Sequence, residues 1–335
     1  MAPQSRSGDQ APESEVRAPS AVAVDDVVQP FQVEALDVRG RMVRLGAALD
    51  DILSPRDYPP PVARLLGEAV VLASLLGSAL KFDGRFILQA QTDGAVSFLV
   101  VDYRTPGNLR AYARFDQARI NEAGPDCTPA VLLGRGHLAM TIDQGVETKR
   151  YQGMVALEGE GLEQAAHEYF LRSEQIPTRV RLSVGASWHA GEDRSHWRGG
   201  GMLLQYLPAG RAQGAAEAQG AHSAEGDEDD VWGEARSLIA TVSDVELLDP
   251  GLSGERLLFR LFHERGVRVF AERAVRAQCS CSRQAVASML ASFSAPDRAD
   301  MVKDGAVEVN CEFCGSTYRF TPQEIGVQES GVDRA

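Results

Sequence analysis

Short segments of alternating apolar and polar residues dominate the first two thirds of this 335-residue chain. Phe31 to Leu36 and Arg41 to Leu45 alternate in the way that half-buried strands do, and Arg39-Gly40 between them predicts a hairpin turn. Asp93-Gly94 is typical of a second tight turn. The same pattern predicts further strands over 85–92, 96–103, 109–115, 137–142, 151–157, 180–187 and 202–207.

Two helices are predicted among these strands. Apolar residues recur every three or four positions from Val62 to Leu80, and Pro59-Pro60-Pro61 stands where a helix can begin. A second helix is predicted from Leu162 to Ser173. Because strands cluster in hairpin-like groups and helices are interposed singly, the pattern favours an α+β fold with a mostly antiparallel sheet over a parallel doubly wound fold.

Helical spacing of apolar residues returns between Val231 and Val275, with a break at Pro250-Gly251 and a possible N-cap at Ser253. These helices are short, so their order should depend on what they pack against. Two interpretations are open. The segment is either an ordinary helical subdomain or a conditional element whose packing depends on the cysteine-rich segment that follows it.

Composition suggests five parts for the chain. Residues 1–28 are rich in Ala, Pro, Ser and charge and predict a disordered tail, and residues 29–208 form the predicted core domain. Residues 209–230 are low in complexity and acidic, which predicts a flexible insertion. Residues 231–278 form the predicted helical linker, and residues 279–335 form a small C-terminal domain.

The chain is expected to be a cytoplasmic protein with no membrane partner. Its N-terminus lacks the apolar run of a signal peptide. The longest apolar stretch, Ala69 to Leu80, is about half as long as a membrane-spanning helix. In a reducing cytosol, clustered cysteines favour metal binding or redox sensing over permanent disulfides.

The charge of the chain argues against nucleic acid as a partner. The formal net charge is −13 at pH 7. From residue 279 onward there are five basic and eight acidic residues, a net charge of −3. Phosphate contacts require a basic face, which neither the chain nor this segment offers.

Four of the five cysteines form two close pairs, Cys279-Ser-Cys281 and Cys311-Glu-Phe-Cys314. Two such pairs predict a four-cysteine zinc site, and strand-like residues on both sides of the second pair resemble a zinc knuckle. Cys279 and Cys281 are expected on extended or turn backbone, because residues two apart point to one side only there. Spacing alone leaves both a structural zinc site and a releasable one open.

Little else in the chain suggests catalysis. No GxSxG or HExxH motif occurs, and the glycines at 134–136 and 199–201 are expected in turns at strand edges. Cys127 is interpreted as a loop or partly buried thiol, and His263 as a helix residue rather than a fifth ligand. A thiol oxidoreductase would need its CxxC at the start of a helix, whereas strand-like residues flank this one. No enzymatic activity is expected.

Seven segments together resemble the 33 kDa chaperonin family, the redox-regulated heat shock chaperones of bacteria. The resemblance runs from about Phe31 to Ile325, and the long N-terminal tail and the insertion at 209–230 depart from the family pattern. The segments are Leu80-Lys-Phe-Asp-Gly-Arg-Phe86, Arg150-Tyr-Gln-Gly-Met-Val155, Tyr169-Phe-Leu-Arg-Ser-Glu-Gln-Ile-Pro-Thr178, Gly200-Gly-Met-Leu-Leu-Gln205, Leu261-Phe-His-Glu264, Cys279-Ser-Cys-Ser-Arg283 and Cys311-Glu-Phe-Cys314.

The resemblance implies an ATP-independent holdase that is inactive when reduced and zinc-bound and active when oxidised. It implies one zinc ion on Cys279, Cys281, Cys311 and Cys314, and disulfides joining Cys279 to Cys281 and Cys311 to Cys314 after oxidation. Unfolding or oxidatively damaged proteins would be the clients, and the oxidised form is expected to dimerise. The alternatives are a zinc-ribbon binding module with a purely structural zinc and a thiol oxidoreductase.

Overall fold

The computed structural model describes residues 24–125, 127–145, 150–188, 191–207 and 225–327. The predicted tail up to residue 23 and the predicted insertion from 209 to 224 lie outside these ranges. Helix α6, defined below, begins at Glu225, so the last residues assigned to the insertion belong to a helix.

Fourteen strands and ten α-helices lie within the described residues. The strands are β1 (Val27–Val33), β2 (Val38–Leu45), β3 (Arg85–Thr92), β4 (Val96–Arg104), β5 (Asn108–Phe115), β6 (Arg135–Asp143), β7 (Tyr151–Glu158), β8 (Thr178–Trp188), β9 (Ser195–Tyr206), β10 (Arg268–Val269), β11 (Arg273–Ala274), β12 (Arg276–Ala277), β13 (Val307–Asn310) and β14 (Thr317–Phe320). The helices are α1 (Ala47–Leu53), α2 (Pro60–Gly77), α3 (Gln117–Ala123), α4 (Pro129–Leu133), α5 (Leu162–Tyr169), α6 (Glu225–Ala240), α7 (Asp244–Leu248), α8 (Gly254–Phe262), α9 (Arg283–Ala291) and α10 (Ala295–Asp300).

The strands form two six-stranded sheets and a separate hairpin. The first sheet has the order β10-β1-β2-β9-β8, with β11 also paired to β1, and the second has the order β12-β5-β4-β3-β6-β7. Strands β13 and β14 form the hairpin. Among the described strands every pairing is antiparallel except that of β12 with β5. The predicted α+β fold with a mostly antiparallel sheet is therefore confirmed.

Helix α2 lies between the two sheets and contacts strands of both. It begins at Pro60, as the proline run predicts, and almost all of its side chains are buried. Its apolar residues join those of both sheets in one continuous core, which we call the central core. By length and composition α2 is the one described helix that could cross a membrane, but 78% of that window is buried inside the protein.

Helices α6 to α8 cover the opposite face of the first sheet. Phe31, Met42 and Met202 of the sheet pack there against Ile239 of α6 and Phe262 of α8. The rings of Phe31 and Phe262 lie 5.8 Å apart. This second apolar layer is separate from the central core, and we call it the linker layer.

The predicted hairpin is confirmed, since β1 and β2 pair antiparallel, but its predicted turn at Arg39-Gly40 is wrong. Strand β1 ends at Val33, a short 3-10 turn follows, and Asp37 has the left-handed φ of 49° that reverses the chain. Gly40 lies inside β2, opposite Phe31. A Cβ there would stand 2.1 Å from the Phe31 ring, so close packing rather than a turn requires this glycine.

Two other expectations need correction. The segment 231–275 is helical only as far as Phe262, because Arg268–Val269 and Arg273–Ala274 extend the first sheet as β10 and β11. Glycines 199–201 lie inside β9 rather than in a turn. A Cβ at Gly200 would stand 2.3 Å from the Leu247 carbonyl oxygen, so this glycine lets helix α7 approach the sheet closely. Gly199 and Gly201 face the other side, where a Cβ would stand 2.8 Å and 2.5 Å from the Val71 side chain of α2.

Candidate metal centre

The first cysteine pair follows directly from β12. The Gln278 amide donates to the Leu109 carbonyl of β5 at 2.8 Å, which ties the chain to the second sheet just before Cys279. Cys279 and Cys281 lie outside any helix, as predicted. Ser282 then caps α9 by accepting a hydrogen bond from the Ala285 amide. The pair therefore occupies a short segment anchored at both ends.

The second pair occupies the turn of the hairpin formed by β13 and β14. The Cys311 amide donates to the Ser316 carbonyl and the Gly315 amide donates to the Cys311 carbonyl, both at 2.9 Å. Gly315 has a φ of 72°, a conformation that glycine adopts without strain. The predicted strand–turn–strand arrangement of this segment, which we call the knuckle, is confirmed, and strands rather than a helix flank the CxxC.

The two pairs converge on one point. Their four sulfur atoms all lie within 4.8 Å of one another. The Sγ atoms of Cys279 and Cys311 are 3.7 Å apart, and those of Cys281 and Cys314 are 3.3 Å apart. Sulfurs at about 2.3 Å from a tetrahedral ion would be separated by about 3.8 Å, so this donor set can hold a metal ion.

Neighbouring groups shift the pKa values of two of the thiols in opposite directions. Burial and hydrogen bonding with the other thiols raise the pKa of Cys281 to about 12, although the Tyr318 hydroxyl, at 3.1 Å, opposes the rise. Burial acts in the same direction on Cys314, but the Ser316 hydroxyl and amide outweigh it and lower its pKa to about 6. Cys314 is therefore the thiol most ready to lose its proton in the metal-free cluster.

The C-terminal unit around the cluster has a very small core. Four buried residues form it: Leu290, Val307, Phe320 and Ile325. So few apolar side chains supply little folding free energy, and small units of this kind are commonly held by metals or disulfides. The cysteine cluster is thus positioned to stabilise the whole unit.

The knuckle also packs against the second sheet through contacts that sequence reasoning missed. The Arg110 guanidinium lies 4.2 Å above the Phe313 ring, and the rings of Tyr112 and Phe313 are 6.4 Å apart. Arg56 donates to the Cys311 carbonyl at 2.8 Å. The aromatic residue Phe313 inside the CxxC was the signal that could have indicated a packing contact here. Its partners could not be predicted, because they lie about 200 positions away in the sequence.

The remaining candidates lie elsewhere. Cys127 is half-buried and packs against the central core, as expected for a thiol outside the cluster. His263 stands at the C-terminal end of α8, where its Nδ1 lies 3.1 Å from the Phe259 carbonyl. It is not among the side chains that converge on the metal centre.

The chain is similar to known proteins over most of its length. The sequence profile of a family described as "Hsp33 protein" matches residues 26–321. A 33 kDa chaperonin of Caulobacter vibrioides is 46% identical over 309 residues, covering 91% of this chain and 98% of the relative. One from Pseudomonas fluorescens strain SBW25 is 36% identical and covers 92% of this chain and 94% of the relative.

A solved structure shares the fold. The crystal structure of the 33 kDa chaperonin from Thermotoga maritima superposes with a TM-score of 0.71 at 20% identity. The match covers 90% of this chain and 96% of that one, so the two-sheet architecture and the C-terminal unit belong to one common fold.

Proposed function

The chain belongs to the Hsp33 family, whose members are named 33 kDa chaperonins, and we propose that it is a redox-regulated, ATP-independent chaperone. Its clients would be proteins that unfold or suffer oxidative damage in the cytoplasm. The single observation that carries the regulatory part is the convergence of four cysteine sulfurs within 4.8 Å of one another, next to the second sheet.

Zinc is the proposed metal, one ion per reduced chain, held by Cys279, Cys281, Cys311 and Cys314. Four thiolates are the donor set of structural zinc sites, and such a site supplies folding free energy to a small unit. The four-residue core of the C-terminal unit makes this contribution important here.

Oxidation is the proposed trigger. A peroxide converts one thiolate to a sulfenic acid, and a neighbouring thiol displaces water from it to form a disulfide. The proposed bonds join Cys279 to Cys281 and Cys311 to Cys314. Two disulfides consume two molecules of hydrogen peroxide and remove all four thiolate ligands. The C-terminal unit then loses the binding free energy that folds it.

The consequence proposed for the rest of the chain is exposure of apolar surface. The Phe313 contact joins the C-terminal unit to the second sheet, and so does β12, which directly precedes the unit. Strands β10 and β11, which lie just before β12 in the chain, pair with the first sheet. Loss of the unit would loosen residues 263–278, and with them helices α6 to α8. The linker layer would then become available to unfolding clients.

A paired assay tests this function. Peroxide-treated, metal-depleted protein should suppress aggregation of a chemically unfolded client, and the reduced, zinc-loaded protein should not. Released zinc and free thiols are counted in the same samples, and Cys127→Ser serves as a control that keeps the cluster. Equal protection by both forms would exclude the redox switch.

The same samples discriminate the alternatives. A purely structural zinc would remain bound while chaperone activity is unchanged by peroxide. A thiol oxidoreductase would turn over a small dithiol substrate, whereas the proposed switch is oxidised only once per chain. Peptide mapping of the oxidised protein assigns the disulfide pairs, and sedimentation analysis tests the proposed dimer of the oxidised form.

A further inference from the structure

An apolar cleft of about 490 Å³ lies between the two sheets, beside the C-terminal end of α2. Leu80, Phe86, Met140 and Ile142 supply much of its wall. Clefts of this volume with an apolar lining and a few polar groups are typical of small-molecule sites. No cysteine is among the residues that line this cleft.

Arg41 of β2 lines this cleft and is a half-buried residue. Its Nε atom is buried, and among the described residues it has no hydrogen-bond partner. Four other arginines also have a buried Nε without a partner, but each of them uses a terminal nitrogen in a hydrogen bond. They are Arg44, Arg56, Arg181 and Arg298.

Arg41 differs from these four because no hydrogen bond or ion pair within the described part of the chain involves its side chain. Burial lowers the pKa of Arg41, and the positive charge of the nearby Arg273 lowers it further. Lys81, an exposed residue that lines the same cleft, adds another positive charge. A half-buried cation without a hydrogen-bonding partner attracts an anion, so Arg41 and Lys81 make the cleft complementary to a negatively charged group.

A negatively charged residue, Glu174, also lines the cleft, and its carboxylate is hydrogen-bonded to two tyrosines. The Glu174 carboxylate accepts hydrogen bonds from the hydroxyls of Tyr151 and Tyr169, both at 2.9 Å. Among the described residues, no hydrogen bond or ion pair joins this carboxylate to Arg41. A fixed carboxylate in the same cleft also disfavours a ligand that carries more than one negative charge.

We propose that this cleft binds an amphipathic carboxylate, such as a medium-chain fatty acid, with its carboxylate on Arg41 and its apolar chain against Phe86 and Met140. Because the Nε atom is buried, the two terminal nitrogens of the planar guanidinium are the donors that match a carboxylate. The apolar wall accepts the alkyl chain. This site is independent of the proposed chaperone function.

Calorimetric titration of the reduced, zinc-loaded full chain with octanoate and with 1-octanol tests the proposal. Octanoate should bind at least tenfold more tightly than the alcohol, because only the carboxylate pairs with Arg41. Arg41→Met should abolish this preference, whereas Arg236→Met, which removes an exposed arginine from α6, should leave it unchanged.

A second variant guards against misfolding of Arg41→Met. Ala79→Leu fills part of the cleft without removing a charge, so it should weaken the binding of both ligands at least tenfold while the circular dichroism spectrum stays that of the wild type. Equal affinities for octanoate and octanol, or unchanged octanoate binding in Arg41→Met or Ala79→Leu, would overturn the proposal.

Discussion

Single side chains hold the first sheet to the helices around it, and Asp50 of α1 is the clearest case. Its carboxylate accepts hydrogen bonds from Arg194 at 2.7 Å, from the Trp197 amide at 3.0 Å and from Ser54 at 3.0 Å. Burial opposes ionisation, but these donors outweigh it and lower the pKa from 3.8 to about 2.

The sign of this shift gives a pH dependence. The stabilisation by Asp50 is fully present above pH about 5, where the carboxyl is ionised even in the unfolded chain, and it is lost as the pH falls toward about 2. We expect Asp50→Asn to lower the free energy of unfolding by about 2 kcal/mol at neutral pH. Urea titrations should show wild type and variant converging in acid. A constant difference down to pH 2 would contradict the assignment.

Phe313 packs the knuckle against the second sheet. Removing its ring should cost about 1–2 kcal/mol of docking free energy, because the contacts with Arg110 and Tyr112 are lost. In Phe313→Ala, we therefore expect faster hydrogen exchange at the Arg276 and Gln278 amides, which bond to the second sheet. Phe293→Ala removes an exposed ring of the same unit and should leave both rates unchanged.

At the scale of elements, the linker helices are held by both apolar and polar contacts. Phe262 packs on Phe31 in the linker layer. Arg198 donates to the Leu248 carbonyl at 3.0 Å, and Arg44 donates to the Asp249 carbonyl. Leu248 is the last residue of α7 and Asp249 is the next, so the two arginines fix the C-terminal end of α7 on the sheet.

Helix α8 offers a matched pair of variants for this surface. Phe262 is fully buried, and its replacement by alanine should destabilise the packing by about 3–5 kcal/mol. Phe259 on the same helix is 64% exposed, so Phe259→Ala should have little effect. We expect Phe262→Ala, but not Phe259→Ala, to bind more of an apolar fluorescent dye and to protect a client while still reduced. Wild-type behaviour of both variants would show that the linker layer is not the client surface.

The elements that the sequence predicts well are those in which the periodic pattern of apolar residues continues over many positions. Strands β3 to β8 and helix α2 begin and end within three residues of their predicted bounds, because alternation or helical spacing continues over each of them. Helices α1, α3 and α4 are too short to establish a period, and β10 and β11 have two residues each. Gly40 was misplaced because its cause, the Phe31 ring, lies on another strand.

At the scale of the whole molecule, the sequence predicts the cysteine cluster but not the contacts that hold it against the second sheet. Two close pairs of cysteines specify a metal site wherever the fold brings them together. However, Phe313 contacts β5 from about 200 positions away, and Cys311 contacts Arg56 in the α1–α2 connection from 255 positions away. No local pattern encodes such a contact, yet it determines what the cluster can influence.

The unequal cores of the molecule predict how it responds to metal removal. The central core contains most of the buried apolar residues of both sheets, whereas the apolar cluster of the C-terminal unit has only four buried residues, Leu290, Val307, Phe320 and Ile325. Chelation under reducing conditions should therefore unfold the C-terminal unit and leave the sheets folded.

Limited proteolysis with mass spectrometry measures this difference. Metal-free protein should be cleaved first between residues 283 and 325, and a fragment containing both sheets should persist. Added zinc should restore resistance in the wild type and in Cys127→Ser, since Cys127 belongs to the central core rather than to the cluster. Resistance of the metal-free C-terminal unit would mean that its four-residue core and its contacts with β5 suffice to fold it, and oxidation would then have no folding free energy to remove.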